Sequence, residues 1–231
     1  MPQARDVHNL FTSIAHRYDR MNHLLSGGVD YYWRKKLIQS VKSLKPASVV
    51  DLATGSGDVA LALKASLEPS TSIVGLDFCE AMLDQARAKA HKKGMQLPFI
   101  CADCLQLPFE DASIDVATLA FGIRNFENRQ QGLLEIRRIL KKTGSLFILE
   151  FSQPKAWLRP FYYLYLKTLL PLIAQIGTGR KGAYQYLASS IESFPSKEGL
   201  AQEILSSGFA RVSLVGLTGS LVAIHKCDAS A

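Results

Sequence analysis

A chain of 231 residues with 48% apolar residues can bury one full core, which excludes an intrinsically disordered class. Its 27 Lys and Arg against 20 Asp and Glu leave a formal charge of +7, spread over short clusters such as Arg34-Lys35-Lys36 and Lys141-Lys142. Basic residues scattered in this way read as solvated helix faces, so nucleic acid is not expected as a partner.

The chain opens MPQARDVHNLF, without an apolar run behind its charges. No signal peptide is therefore expected, and a reduced, cytoplasmic setting follows. Helical patterns over Asp6–Tyr18 and Tyr32–Ser43 predict a helical N-terminal extension, residues 1–46. From residue 47 to 151, short β-branched runs alternate with helical ones. Strands are predicted at Ser48–Ala53, Ser72–Asp77, Pro98–Ala102, Ile114–Ala120 and Leu146–Phe151. Helices are predicted at Asp58–Leu67, Glu80–Lys92 and Arg129–Leu140, whereas LQLPFEDAS is too proline-broken for one. Such alternation implies parallel strands joined by right-handed crossovers.

An insertion, 152–207, follows, with the stretch WLRPFYYLYLKTLLPLIAQIG near its start. Arg159, Lys167 and two prolines interrupt it, so it does not read as a bilayer-spanning helix. A buried helix, a lid over an apolar substrate and a membrane-docking face all remain open for it. Two last strands, Phe209–Val215 and Ser220–His225, flank a short Gly216–Gly219 loop and predict an antiparallel hairpin, 208–226. The expected fold is a single α/β domain: a seven-stranded, mostly parallel sheet with an antiparallel C-terminal edge hairpin.

Cysteines occur at 79, 101, 104 and 227. Cys101 and Cys104 spell C-x-x-C, but no second pair completes a zinc set and Cys101 falls at a strand end rather than opening a helix. Ordinary thiols and no metal site are expected.

DLATGSGD, residues 51–58, joins the first strand to the first core helix. Gly55-Ser-Gly57-Asp-Val-Ala60 satisfies the dinucleotide fingerprint G-x-G-x-x-A, and Asp77 follows near the spacing of a ribose-binding acid. An NAD-linked oxidoreductase is therefore a competing reading, whereas a P-loop is not, because no Gly-Lys-Ser/Thr follows. Asp51, Asp77 and Asp103 lie at three successive strand ends. Acids so placed suit a ligand carrying an ammonium group, a ribose and an adenine, which is S-adenosylmethionine.

DLATGSGD, GLDFCEAML, CADCLQLPFEDASIDVAT and the terminal hairpin together resemble a class I S-adenosylmethionine-dependent methyltransferase, with its Rossmann-like sheet. YDRMN (18–22) with Leu25-Ser26 and Trp33, FGIRN (121–125), EFSQP (150–154) and the C-terminal pattern from Tyr186 to His225 resemble one family within that class. These are the C-methyltransferases of ubiquinone and menaquinone biosynthesis. Asp30 departs from the family's first signature, which has His there; Ser56 stands where Thr is usual, Thr143 where Gly is usual, and Ala120 where some members have Ser.

The resemblance implies methyl transfer to a ring carbon of a prenylated quinol, demethylmenaquinol ahead of a ubiquinone precursor. It implies cofactor contacts at Asp51, Ala53, Gly55, Ser56 and Gly57 in the turn. Further contacts are implied at Asp77, Phe78, Asp103, Cys104 and Ala120. Arg124 and Asn125 follow the fourth strand, where ligands bind in such sheets. Arg124 is expected to stabilise a phenolate, with Asn125 as hydrogen-bond partner, and pairing of Arg124 with an acid is its structural alternative. Asp19 and His16 are candidate bases, Tyr18 a group that orients substrate or covers cofactor, and Glu150 faces the same edge. His225 reads as structural. Peripheral contact with a membrane and a homodimer complete the partner readings.

Overall fold

The computed structural model describes residues 4–169 and 181–230. Three N-terminal helices, α1 (Ala4–Ile14), α2 (Tyr18–Leu25) and α3 (Val29–Lys42), precede the sheet. Strands β1 (Ser48–Leu52), β2 (Ser72–Asp77), β3 (Phe99–Cys101), β4 (Ile114–Ala120) and β5 (Leu140–Phe151) alternate with α4 (Asp58–Ser66), α5 (Glu80–Lys92) and α6 (Arg129–Ile139). Helices α7 (Arg159–Leu164), α8 (Lys181–Glu192) and α9 (Lys197–Ser206) come next, then β6 (Arg211–Leu217) and β7 (Val222–Asp228).

The strand order is β3-β2-β1-β4-β5-β7-β6. Strands β1 to β5 are mutually parallel, and β7 runs antiparallel to both β5 and β6. The chain reverses its direction of winding between β1 and β4, so their carboxyl ends open a crevice of the kind that binds ligands in such sheets. Alternate residues of each central strand feed opposite layers. Val50, Leu52, Leu146 and Ile148 pack with α6 and α9, while Val49, Phe147 and Leu149 pack with α3 and α4. A parallel sheet covered on both faces needs such continuous apolar strands.

The edges of several elements differ from the sequence expectation. The first helix stops at Ile14, and a single 3₁₀ turn, Ala15–Arg17, redirects the chain into α2. Ala15 is buried there against Cys79 and Met82, and that packing overrides a continuous amphipathic pattern. β5 begins at Leu140 rather than Leu146. Its early residues pair with Ile114 through a register shift, and Gly144 lets the backbone close up, because a Cβ there would stand 2.9–3.1 Å from three carbonyl oxygens. Thr143 thus lies in a strand, not a loop. The hairpin strands lie two residues later than expected, with the turn at Thr218–Leu221. Among the described residues no helix is long and apolar enough to cross a membrane; residues 170–180 of the apolar insertion lie outside them.

The N-terminal helices and the insertion meet over the open end of the sheet. Ile14 and Met21 from α1 and α2 cluster with Leu166 and Ile191, and Phe11, Tyr18, Phe151 and Tyr162 pack around them. The two segments therefore form one roof.

Candidate functional site

β1 ends in the turn that carries DLATGSGD, and its backbone is set by the residue types. Ala53, Gly55 and Gly57 all have positive φ (46°, 56° and 81°), and Gly57 caps α4 from the left-handed region. Gly57 has a second reason to lack a side chain, since a Cβ would lie 2.9 Å from the Cβ of Ala86. Thr54 N–H donates to the Leu76 carbonyl at 2.9 Å, tying the turn to β2.

Asp77, at the end of β2, accepts the Gly55 N–H at 2.8 Å with one oxygen and the Cys79 N–H at 2.9 Å with the other. It spans the crevice mouth, and its carboxyl is pushed up by burial against three opposing backbone N–H groups. The crevice is walled by Ala53, Gly55, Asp77, Phe78, Asp103, Cys104 and Ala120, with Tyr18, Phe121 and Asn125 opposite. One oxygen of Asp103 accepts the Leu105 N–H at 2.9 Å, and among the described residues no side chain bonds the other. Burial pushes the Cys104 thiol up, so it stays an uncharged wall group.

Asp51, Ser56 and Gly57 are not among the residues that line the crevice. Asp51 is only 1% exposed, and its oxygens accept the hydroxyls of Thr54 and Thr118, each at 2.6 Å. It buttresses the turn from inside the sheet, held by Thr54 of the turn and Thr118 of β4. Ser56 donates to Asp19 and accepts from Lys89 at 3.0 Å, so its hydroxyl points to the roof. Asp19 is likewise engaged, with Lys89 Nζ at 2.5 Å, and Lys89 also holds Asp58 at 2.6 Å. A carboxylate tied to both a hydroxyl and an ammonium is a latch rather than a free base. His16 is exposed in the 3₁₀ turn and is absent from both cavity walls.

Beyond the crevice lies a second cavity of about 460 Å³, under the roof. Its wall is mostly apolar, with Leu25, Trp33, Phe121, Phe151, Tyr162, Leu166, Leu187 and Ile191 among its members. Tyr18 and Phe121 belong to both walls and so mark where the two spaces meet. Burial pushes the Tyr18 phenol up, with the Arg124 charge opposing, so the hydroxyl keeps its proton near neutral pH.

Arg124 enters the same wall while paired from behind. Its Nη1 donates to Glu150 Oε1 at 2.8 Å and to the Phe121 carbonyl at 2.6 Å, and the guanidinium lies 5.3 Å from the Phe151 ring centre. The structural alternative for Arg124, pairing with an acid, is thus realised, and the acid is Glu150. Yet Nε of Arg124 is buried without a hydrogen-bond partner. Buried N–H groups seldom stay unpaired, so this one marks a gap in the hydrogen bonding around the cavity wall. Asn125 is fixed by the Tyr186 hydroxyl, which donates to its Oδ1 at 3.0 Å. His225 donates its Nε2–H to the Lys197 carbonyl at 2.8 Å, and it lines neither cavity.

The donor set suits the cofactor inferred from sequence. Asp77 and Asp103 present acceptors to a crevice whose floor is bare backbone, which matches ribose hydroxyls and an adenine amino group. Across residues 2–228 the chain matches the model described as the ubiE/COQ5 methyltransferase family.

The chain belongs to that family.

It is 41% identical over 220 residues to a demethylmenaquinone methyltransferase of Thermus thermophilus, covering 95% of this chain and 99% of that one. The corresponding Deinococcus radiodurans protein is 43% identical, covering 94% and 91%. A ubiquinone/menaquinone biosynthesis C-methyltransferase of Geotalea uraniireducens is 37% identical, covering 95% and 94%. In fold, a SAM-dependent methyltransferase of Thermotoga maritima superposes with a TM-score of 0.69 at 20% identity, covering 96% of this chain and 99% of that one. This family member is thus an S-adenosylmethionine-dependent methyltransferase, and the oxidoreductase reading of its glycine turn finds no support.

Residues that sequence reasoning missed are Lys89, Arg34, Tyr162, Tyr165 and Trp33 as a partner of Thr218. Apart from Trp33, which belongs to the first signature, no local motif marks them; they are brought in by tertiary packing.

Proposed function

We propose that this methyltransferase methylates a ring carbon of a prenylated quinol, converting demethylmenaquinol to menaquinol. The observation that carries the reading is the junction of two cavities at Tyr18 and Phe121. One cavity is polar and built around the glycine turn, and the other is apolar and falls within the roughly 300–1,000 Å³ range of small-molecule pockets. The two most identical relatives named above are demethylmenaquinone methyltransferases, which favours that quinol over a ubiquinone precursor.

Gly55, Asp77 and Asp103 would hold S-adenosylmethionine, which would supply an electrophilic methyl group there. The chain's own residues do the rest by positioning and electrostatics. The positive charge of Arg124 in the cavity wall favours the oxyanion of the ring, and so enriches the carbon beside it. Glu150 keeps that guanidinium in place. Tyr18 offers a protonated hydroxyl at the junction, and Asn125, its Oδ1 held by the Tyr186 hydroxyl, offers its amide N–H groups on the crevice side. The roof of α1, α2 and the insertion excludes water from both reactants.

Substrate access explains the outer face of the roof. Tyr162, Tyr165 and Leu166 point to the cavity, while Trp157, Phe161 and Leu164 are 68%, 68% and 61% exposed. A segment apolar on both sides, flanked by Lys155, Arg159 and Lys167 and without an acid from 151 to 191, suits an anionic bilayer surface. Co-sedimentation with vesicles containing anionic lipid at low salt should recover the protein, and Trp157→Ala/Phe161→Ala should leave it in solution.

The function is tested anaerobically with the purified protein, S-adenosylmethionine and a short-chain 2-prenyl-1,4-naphthoquinol. Mass spectrometry and NMR should show one new carbon-bound methyl on the ring. An oxygen-bound methyl, or faster turnover of a 6-methoxybenzoquinol, would overturn the assignment.

A further inference from the structure

Asp30 stands in the wall of the 460 Å³ cavity, with its side chain 5% exposed. It is the only carboxylate among the described side chains of that wall. An ionised carboxylate offers about four lone-pair directions. Three are taken: Oδ2 accepts from His23 Nδ1 at 2.6 Å and from Arg34, and Oδ1 accepts from the Ser26 hydroxyl at 2.7 Å. Arg34 leans on Asp58 at 3.5 Å as well, and His23 stacks on Tyr31 at 4.3 Å. Three donors from two helices and their connection therefore hold Asp30 in one orientation, and one lone pair of Oδ1 remains.

From this arrangement we infer that Asp30 reads the oxidation state of the ring, accepting the hydroxyl hydrogen of a 1,4-quinol and rejecting the corresponding quinone. The inference rests on the quinol reading above. A guanidinium does not reject the quinone, because Arg124 has only donors and can bond a quinone carbonyl as well as a quinol oxygen. Nor do the nearest hydroxyls make it: Ser26 has committed its hydrogen to Asp30, and Thr218 accepts from the Trp33 indole at 2.8 Å. A carboxylate has only acceptors here. Opposite a quinol it gains an O–H donor; opposite a quinone it meets a second acceptor, and the carboxylate, only 5% exposed, faces that acceptor with no hydrogen between them. Sites built to bond a hydroxyl reject analogues lacking it far more strongly than apolar pockets reject a change of size. The chemistry gives the discrimination a purpose, since the oxidised ring is electron-poor and would occupy the cavity without reacting.

The test is binding, not turnover, because a quinone cannot be a nucleophile whatever the site does. Anaerobic dissociation constants are measured for 1,4-naphthalenediol, 1,4-naphthoquinone and 1,4-dimethoxynaphthalene on the intact protein. The diol should bind roughly ten- to a hundredfold more tightly than either other ring, the span expected for one buried hydrogen bond. In Asp30→Asn, whose amide presents a donor as well as an acceptor, quinone binding should strengthen and the preference shrink towards parity. Equal binding of diol and quinone by the wild type, or a preference unchanged in Asp30→Asn, overturns the inference. Should that variant not fold, the wild-type series alone decides. Methyl transfer to the quinol without any binding preference sinks this inference only, whereas a preference without methyl transfer sinks the proposed reaction only.

Discussion

Arg124 and Glu150 form an ion pair that solvent does not reach: Nη1 lies 2.8 Å from Oε1, with the two side chains 5% and 0% exposed. Burial pushes the Glu150 carboxyl up and the neighbouring guanidinium opposes it. Such a pair gives little net stability against an apolar replacement, yet removing one partner leaves a buried polar group alone. Glu150→Ala should therefore lower stability by about 3–5 kcal/mol, seen as a reduced urea midpoint at constant m. Arg124→Met/Glu150→Leu should recover most of that loss while methyl transfer stays abolished. If the double variant remains active, Arg124 has no part in the chemistry.

How far the sequence reveals this arrangement depends on the range of each interaction. The sheet, α5 and the three strand-end acids follow from local apolar periodicity and turn chemistry, and Glu80–Lys92 is a helix with the expected bounds. The roles of Asp51 and Asp19 do not follow. Asp51 is turned inward by Thr118, 67 residues away, and Asp19 is captured by Lys89, 70 residues on. Neither distance leaves a trace in local pattern. The break between α1 and α2 is illegible for the same reason, because the pocket that receives Ala15 is built by Cys79 and Met82.

Asp19 joins the roof to the cofactor crevice through Ser56 and Lys89. Hydrogen bonds to charged groups contribute about 1.5–3 kcal/mol, equivalent to roughly tenfold or more in binding. Asp19→Ala should raise KM for S-adenosylmethionine by about tenfold and leave kcat at saturating cofactor unchanged. The opposite split, a lower kcat at unchanged KM, would make Asp19 part of the proton transfer instead.

Two glycines with positive φ separate backbone strain from crowding. Gly94 (φ 62°) has open space around its missing Cβ, whereas at Gly57 (φ 81°) a Cβ would meet Ala86 at 2.9 Å and Phe99 at 3.3 Å. A left-handed conformation costs a non-glycine residue roughly 1–2 kcal/mol, and overpacking adds about 1–3 kcal/mol. Gly94→Ala should thus lose about 1–2 kcal/mol in thermal or urea melting and Gly57→Ala about twice that. Equal losses would mean that α5 gives way to the added methyl at no cost.

Asp51 makes the turn sensitive to pH. Burial is the largest influence on its carboxyl, which is raised from 3.8 to about 6 despite the bonds from Thr118 and Thr54. A carboxyl whose folded pKa is raised binds more protons in the native than in the unfolded chain, so its contribution to stability is full below about pH 3.8 and is lost as pH rises through about 6. At 1.36 kcal/mol per pKa unit, the loss across that window is on the order of 3 kcal/mol. Asp58 and Asp115 have depressed carboxyls and pull the opposite way, so the wild-type profile alone does not isolate the effect. The difference between wild type and Asp51→Asn does, because the amide keeps the shape and cannot ionise. Denaturation at pH 4.5 and 7.5 should show the variant gaining on the wild type as pH rises, by about 2 kcal/mol. A difference that stays flat between those pH values would mean that Asp51 titrates in the folded protein as it does in water.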